Sequence, residues 1–533
     1  YQVPRSRFPM RTEIWTIEGR AVRTLADVAV QDNLARAFDA VPSGLRSASW
    51  RADAPATVVW AEALDRGDPA VQVERRDAVR MLAAPFEGNP ATLAELGYRY
   101  RGITWGNERL AILNEGWNRT RRTRSWAIDP STPGSGARML FDRSSEDAYG
   151  NPGSFETRAN AHGRDVLLLT ADRRHGYLTG NGASAEGDRP FLDRYEFATG
   201  KTDRLWRSEA PAYEAPVSLL DAGARRMITR REGVSDAPNY FLRDLTAGTV
   251  TALTAFVDPA PQFAGVTKQL ITYQRADGVQ LSATLYLPPN YDKTRDGPLP
   301  FLLWAYPQEF LSASAAAQVS GSPYRFTRPG GSSHLYALTQ GYGVLDGPTM
   351  PIIAEEGGEP NDRYIPQLVA SAQAAVDEIV RLGVADRERI GVGGHSYGAF
   401  MTANLLSHSS IFKAGIARSG AYNRTLTPFG FQAEQRNYWE AQEIYTAMSP
   451  FTYAHQVTAP MLLIHGAADD NQGTFPVQSE RYFAALKGNG KTARLVMLPA
   501  EPHGYRARES NGHVLQEMVQ WLDRYVKRVP PRA

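Results

Sequence analysis

The sequence predicts two large domains, an all-β propeller followed by a mostly parallel, doubly wound α/β domain. Three observations carry that expectation. The first half alternates short apolar runs with Gly, Pro, Asn and Asp turns, and the second half alternates strands with helical patterns. The change falls at a Pro-rich stretch, Asp258-Pro259-Ala260-Pro261. Third, 533 residues exceed one ordinary domain of about 150, whereas two domains of about 250 account for them. The boundaries expected are 1–262 and 263–533.

In the first half, Thr57-Val58-Val59-Trp60-Ala61-Glu62, Leu110-Ala111-Ile112-Leu113 and Val166-Leu167-Leu168-Leu169-Thr170 read as strands. A loose repeat at about 50 to 70 residues suits propeller blades with insertions. Trp126-Ala127-Ile128-Asp129-Pro130, Arg194-Tyr195-Glu196-Phe197-Ala198-Thr199-Gly200 and Tyr240-Phe241-Leu242-Arg243-Asp244-Leu245 occupy the same place in successive units. A β-sandwich array is the alternative. The first unit, around Glu13-Ile14-Trp15-Thr16-Ile17-Glu18-Gly19, resembles only the outer part of a blade, and four further units precede residue 262. An open ring would expose strand edges. The expectation is therefore a partial propeller of four to five blades, N-terminally truncated. A missing N-terminal fragment or a homo-oligomer would complete it.

Composition narrows the function classes. Hydrophobic content is 42% and charged content 22%, as in a globular protein with a sizeable core. Net charge is +2, and the run Arg119-Thr120-Arg121-Arg122-Thr123-Arg124 reads as a solvated strand edge or loop, so nucleic acid is not an expected partner. The absence of cysteine excludes disulfides, thiolate zinc sites and a cysteine nucleophile. No apolar run of about 18 residues occurs, so no membrane-spanning helix is expected. The chain starts at Tyr1 without a signal-peptide pattern. A bacterial periplasmic or secreted location is favoured, and a cytoplasmic one is compatible.

In the second half, Phe301-Leu302-Leu303-Trp304-Ala305, Arg389-Ile390-Gly391-Val392-Gly393, Met461-Leu462-Leu463-Ile464 and Arg494-Leu495-Val496-Met497-Leu498 read as buried strands. Residues 368–382 have helical spacing and stop at Gly383, and Pro476 opens a helix ending near Gly488. Between a strand and the helical run Ala399–Leu406 lies Gly394-His395-Ser396-Tyr397-Gly398. That strand-turn-helix setting is a nucleophile elbow, which makes the domain an α/β-hydrolase and Ser396 its nucleophile. The turn is so tight that positions 394 and 398 must be small, and both are Gly.

A serine hydroxyl needs a base, and the base an orienting carboxylate, in the chain order Ser, acid, His. Of the later histidines, His503 follows a strand in Pro499-Ala500-Glu501-Pro502-His503-Gly504-Tyr505, where a catalytic base belongs. His465 reads as structural, His513 as opening the final helix, and His408 and His455 lack a strand-end setting. The acid should lie in His465-Gly466-Ala467-Ala468-Asp469-Asp470-Asn471, where pattern alone leaves Asp469 and Asp470 open. One oxyanion donor should be the Tyr397 backbone N–H. Tyr306, after the 301–305 strand, offers a hydroxyl as the second, although a packed aromatic fits the pattern equally.

These segments resemble the prolyl oligopeptidase family of serine peptidases, most strongly over about 264–533. The stretches Gly393–Met401, Ile416–Thr425 and Glu501–Tyr505 look most like its glutamyl endopeptidase branch, which has plant chloroplast and bacterial members. The resemblance implies a propeller followed by an α/β-hydrolase, a peptide substrate, an acyl-enzyme, and no metal or cofactor. It also implies Asp469 as the acid, Tyr306 as an oxyanion donor and Asn471 as a contact to a substrate carbonyl. Cleavage after Glu requires a cation beside the scissile bond. Arg424 and Arg418 follow the strand after the nucleophile helix and are the candidates, Arg424 the better placed. The rival readings are a dipeptidyl or acylaminoacyl exopeptidase, an esterase, and a non-catalytic propeller scaffold. No Glu pair suited to capturing an amine stands out in the propeller half, and Glu355-Glu356 reads as solvated.

Overall fold

The computed structural model describes residues 7–31 and 37–528. The N-terminal half is a row of antiparallel meanders. A hairpin of Met10–Trp15 and Ala21–Val28 is followed by four four-stranded sheets over 46–96, 99–144, 154–207 and 213–252. A small hairpin over 157–167 is inserted in the third of these. The three aromatic segments of the sequence repeat all fall on the third strand of their sheets, Arg122–Ile128, Phe191–Glu196 and Asn239–Asp244.

Successive sheets stack face to face, and this explains the unbroken apolar runs. Adjacent side chains of a strand point to opposite faces. Val58 packs with Ile14 and Leu45 on one side, while Val59 packs with Trp105 and Leu113 on the other. Ile112 likewise meets Leu178 and Phe191, whereas Leu113 turns back to Val59. Tyr177 and Leu192 continue the series against Ala224 and Met227. The strand expected at 166–170 is shorter, Asp165–Leu167, and Leu168 is buried beyond its end. The basic run at 119–124 is neutralised internally: Arg124 pairs with Asp142 at 3.1 Å and Arg121 with Glu146 at 3.3 Å.

The C-terminal half is built on one eight-stranded sheet: β1 (Thr267–Gln274), β2 (Gln280–Leu287), β3 (Leu299–Trp304), β4 (Gly343–Asp346), β5 (Ala385–His395), β6 (Ala414–Arg418), β7 (Met461–Gly466) and β8 (Ala493–Leu498). Their order is β1-β2-β4-β3-β5-β6-β7-β8, with β1–β2 and β2–β4 antiparallel and the rest parallel. Helices cover both faces. Phe301 and Leu303 pack with α1 (Tyr364–Arg381) and α2 (Tyr397–His408), whereas Leu302 packs with the last long helix. α3 (Val477–Gly488) precedes β8, and that last helix, α4 (Arg508–Leu522), follows it. The sequence expectation that His513 opens the final helix is corrected: α4 starts a turn earlier, and His513 sits inside it, 3.5 Å from Glu517.

The halves are joined beside the site. The Glu146 carboxylate, from the propeller side, accepts the backbone N–H of Leu311 at 3.0 Å and of Ser312 at 3.2 Å. The Tyr149 hydroxyl accepts the N–H of Val319 at 2.8 Å, and Gln318 donates to Asp147 at 2.8 Å. The segment so held is the one that leaves β3 through Tyr306.

Candidate active site

β5 ends at His395 and α2 begins at Tyr397, so Ser396 is the hinge between them. Its backbone sits at φ 59, ψ −117, a strained setting for a residue with a side chain. The glycines are required by contact. A Cβ on Gly394 would lie 2.4 Å from the Gly398 carbonyl carbon, and one on Gly398 would lie 2.4 Å from the Ala305 carbonyl oxygen. Gly398→Ala should therefore push the end of β3 and Tyr306 away from Ser396. A displacement of about 1 Å at a reacting group costs roughly 10²-fold in turnover. Labelling rate with a fluorophosphonate, compared at unchanged circular dichroism, checks it; wild-type labelling would refute the contact.

His503 Nδ1 lies 2.7 Å from Asp469 Oδ2. Asp469 is buried and also receives the Asn471 N–H at 3.0 Å and the Thr474 hydroxyl at 3.2 Å. His465 Nε2 is 3.1 Å from Asp469 Oδ2 and 2.7 Å from the Thr474 carbonyl. Both partners are acceptors, so Nε2 carries the proton of His465, and Nδ1 accepts from the Ser479 hydroxyl at 2.6 Å. Burial alone would raise the Asp469 pKa; the hydrogen bonds from His465, His503 and Asn471 outweigh it and hold the carboxyl well below its usual range. His503 Nε2 faces the Asn471 amide at 3.5 Å. With Nδ1–H directed at Asp469, Nε2 is left as the basic nitrogen. The ring of His395 packs against His503, with centroids 4.8 Å apart. Burial, then the charge of Arg418, pushes the His395 pKa down to about 3, so this neighbour is neutral.

Tyr306 is half exposed, and its hydroxyl accepts from the Gln432 amide at 3.2 Å, which leaves its own proton free to be donated. Its ring meets Tyr397 edge-on at 5.7 Å. Tyr397 is buried and donates its hydroxyl to Glu309 at 2.5 Å. Burial first, then the Glu309 charge, keeps that hydroxyl protonated far above its ordinary range.

Ser396, Tyr397, Arg424, Asn471 and Thr474 share the wall of one cavity of about 970 Å³. Arg424 is only 3% exposed. Its guanidinium is stacked 3.9 Å from the Phe400 ring centroid and 4.1 Å from that of Phe431. Among the described residues no carboxylate lies within ion-pair distance of it, and its Nε is buried without a partner. Arg418 sits differently. It holds the Ser332 carbonyl at 2.8 Å and packs on Trp304 and Tyr505, apart from the residues that line the cavity.

Two participants lay beyond sequence reasoning. Glu309 is three residues past Tyr306 on a short strand, and nothing in Gln308-Glu309-Phe310 signals its bond to Tyr397. His465 was read as structural; its place beside the acid was visible, but its bond to Asp469 needed the fold.

Residues 366–529 match the family model of the prolyl oligopeptidase family. A probable chloroplastic glutamyl endopeptidase of Arabidopsis thaliana is 49% identical over 98% of this chain and 56% of its own length. Its counterpart in Oryza sativa subsp. japonica is 48% identical over 98% of this chain and 58% of its own length. The C-terminal half of this chain thus matches the prolyl oligopeptidase family. The chain spans a little over half the length of the two plant relatives. A solved acylaminoacyl peptidase, bound to a peptide chloromethyl ketone, superposes with a TM-score of 0.61 at 16% identity, over 98% of this chain and 75% of that one. That likeness shows the fold, a β-propeller ahead of an α/β-hydrolase domain. The plant relatives are named as chloroplastic, and nothing in the comparisons favours a periplasmic or secreted location. No helix among the described residues is long and apolar enough to cross a membrane.

Proposed function

We propose that this chain carries the catalytic apparatus of a serine peptidase that cleaves peptide bonds on the carboxyl side of Glu. The observation that carries the reading is Arg424, a buried cation without a carboxylate partner, in the same cavity as Ser396. A planar guanidinium held between two aromatic rings suits bidentate capture of a side-chain carboxylate. The names of the plant relatives support it.

Ser396 Oγ attacks the substrate carbonyl while His503 Nε2 takes its proton. Asp469 holds the ring with Nε2 free and stabilises the imidazolium. The Tyr397 N–H and the Tyr306 hydroxyl receive the developing oxyanion. His503 then returns the proton to the leaving amine, and water repeats the sequence on the acyl-enzyme. Asn471, beside His503 on the cavity wall, is the contact to a substrate carbonyl. Arg418 supports the end of β6, and we propose no substrate contact for it.

An exopeptidase that captures a free amine needs acidic groups in its cavity. The residues described there include Arg7 and Arg424 and neither Asp nor Glu. Digestion of a peptide library with mass-spectrometric readout tests the proposal. Cuts should follow Glu at internal positions. Cuts mainly after other residues, or only two residues from free N-termini, would overturn it.

A further inference from the structure

Arg424 is buried on the wall of the cavity that holds Ser396, Glu309 is half-buried behind it, and no ion pair joins the two. Tyr397 stands between them. Its ring lies 5.4 Å under the Arg424 guanidinium, and its hydroxyl donates to Glu309 at 2.5 Å. Glu309 is thus a carboxylate whose charge bears on Arg424, reaching it through a tyrosine. A substrate glutamate would bring a second carboxylate to that buried cation from the Ser396 cavity, while Glu309 lines the neighbouring cavity on the far side of Tyr397. Two carboxylates and one guanidinium leave an uncompensated negative charge, and burying one is costly.

We propose that Glu309 is a specificity-determining residue that takes a proton from solvent when an acidic side chain docks on Arg424, so that binding of glutamyl substrates is coupled to uptake of one proton. The proton comes from water and rests on the Glu309 carboxyl. The Tyr397 hydroxyl keeps its own proton and goes on donating to the carbonyl oxygen of the neutral acid. The charge summed over Arg424, Glu309 and the docked carboxylate then equals that of Arg424 and ionised Glu309 alone. This rests on the reading of Arg424 as the receptor for the substrate carboxylate.

The surroundings of Glu309 fit that role. Burial pushes its pKa up to about 7, against the opposing pull of the Tyr397 hydroxyl, Arg424 and, from the propeller side, Arg121. The groups facing it are Tyr397 on α2, Tyr364 on α1, Arg424 after β6 and Arg121 with its partner Glu146. Burial holds both tyrosines protonated, far above their ordinary range. The arginines stay charged at any relevant pH. Glu309 is the group in this set whose pKa is brought near neutrality. The sign follows: below that point Glu309 is already neutral and a glutamate docks without further cost. Above it, docking must first draw a proton from an increasingly alkaline solution.

The test uses two matched fluorogenic peptides, one with Glu and one with Gln before the scissile bond, with kcat and KM measured from pH 6 to 8.5. Any ionisation that acts on both peptides alike cancels in their ratio. The substrate glutamate itself, with a pKa near 4.3, is ionised throughout. The Glu-over-Gln ratio of kcat/KM should be flat at the acid end and fall above pH 7, approaching about tenfold per unit, mainly through KM. Glu309→Gln, which keeps an acceptor for Tyr397, should hold the ratio at its acid-end value across the range. A wild-type ratio that favours Glu yet does not change with pH would overturn the proton coupling and leave the Arg424 reading standing. A slope surviving in Glu309→Gln would assign the proton to another group and likewise overturn it. Absence of Glu preference at every pH would overturn the Arg424 reading itself. Calorimetry needs no variant at Glu309: Ser396→Ala titrated with the Glu peptide at pH 8, in two buffers of different ionisation enthalpy, should show uptake approaching one proton. Uptake near zero there, with binding intact, would overturn the proposal.

Discussion

Asp469→Asn should lower kcat on a Glu peptide by about 10³- to 10⁴-fold with the fold intact, whereas Asp470→Asn should change it by less than about twofold. Asp469 Oδ2 is the acceptor for both His503 Nδ1 and His465 Nε2, and both nitrogens carry protons. An asparagine supplies a single acceptor oxygen and turns two N–H donors toward groups that are themselves donors. The relief open to His503 is the other tautomer, with the proton on Nε2, and that form cannot take a proton from Ser396. The ground-state contacts of the substrate are untouched, so the loss falls on kcat rather than KM. Asp470 is exposed and has none of these partners. Steady-state kinetics with near-ultraviolet circular dichroism as the folding control decides the matter; equal losses in the two variants would take the orienting role away from Asp469.

Arg424→Met should reduce kcat/KM for Glu peptides by about 10²- to 10³-fold and leave Gln peptides within a few-fold. The loss corresponds to two charge-assisted hydrogen bonds, together about 3–4 kcal/mol. Methionine fills the slot between Phe400 and Phe431 without the charge, so packing is retained. Because the wild-type guanidinium is buried without a carboxylate partner, removing it relieves a desolvation cost. The melting temperature should hold or rise. That stability readout distinguishes a receptor cation from a scaffold arginine, since a scaffold arginine would lose stability and both activities together.

Much of this site was legible in the residues because its chemistry is locally encoded. The elbow needs small neighbours at 394 and 398, the base and acid follow strands, and those constraints leave marks within a few positions of each residue. Asp469 and Asp470 were indistinguishable locally, since which of two adjacent carboxylates turns inward depends on a histidine 34 positions away. Arg424 and Arg418 carried the same ambiguity. One is stacked over Phe400 of α2 and Phe431 of its own loop, the other is pinned by Ser332 from before β4, and neither Phe400 nor Ser332 is a local sequence neighbour. Glu309 was invisible for the same reason: its half-buried place depends on Tyr364 of α1, Tyr397 of α2 and Arg121 of the propeller, all distant in sequence. The propeller strands, by contrast, were readable as apolar runs because both faces of the first three four-stranded sheets are covered, though their ends were not, as Leu168 shows.

The segment that leaves β3 bears Tyr306 and Glu309 and is gripped from the propeller by Glu146, Asp147 and Tyr149. Any parting of the halves wide enough to admit a large substrate at this seam must release that grip. The arm that would stabilise the oxyanion is then no longer braced at the moment the serine is most accessible. In the closed arrangement the propeller thus braces the arm that carries Tyr306, so the two halves share one mechanical unit at the site.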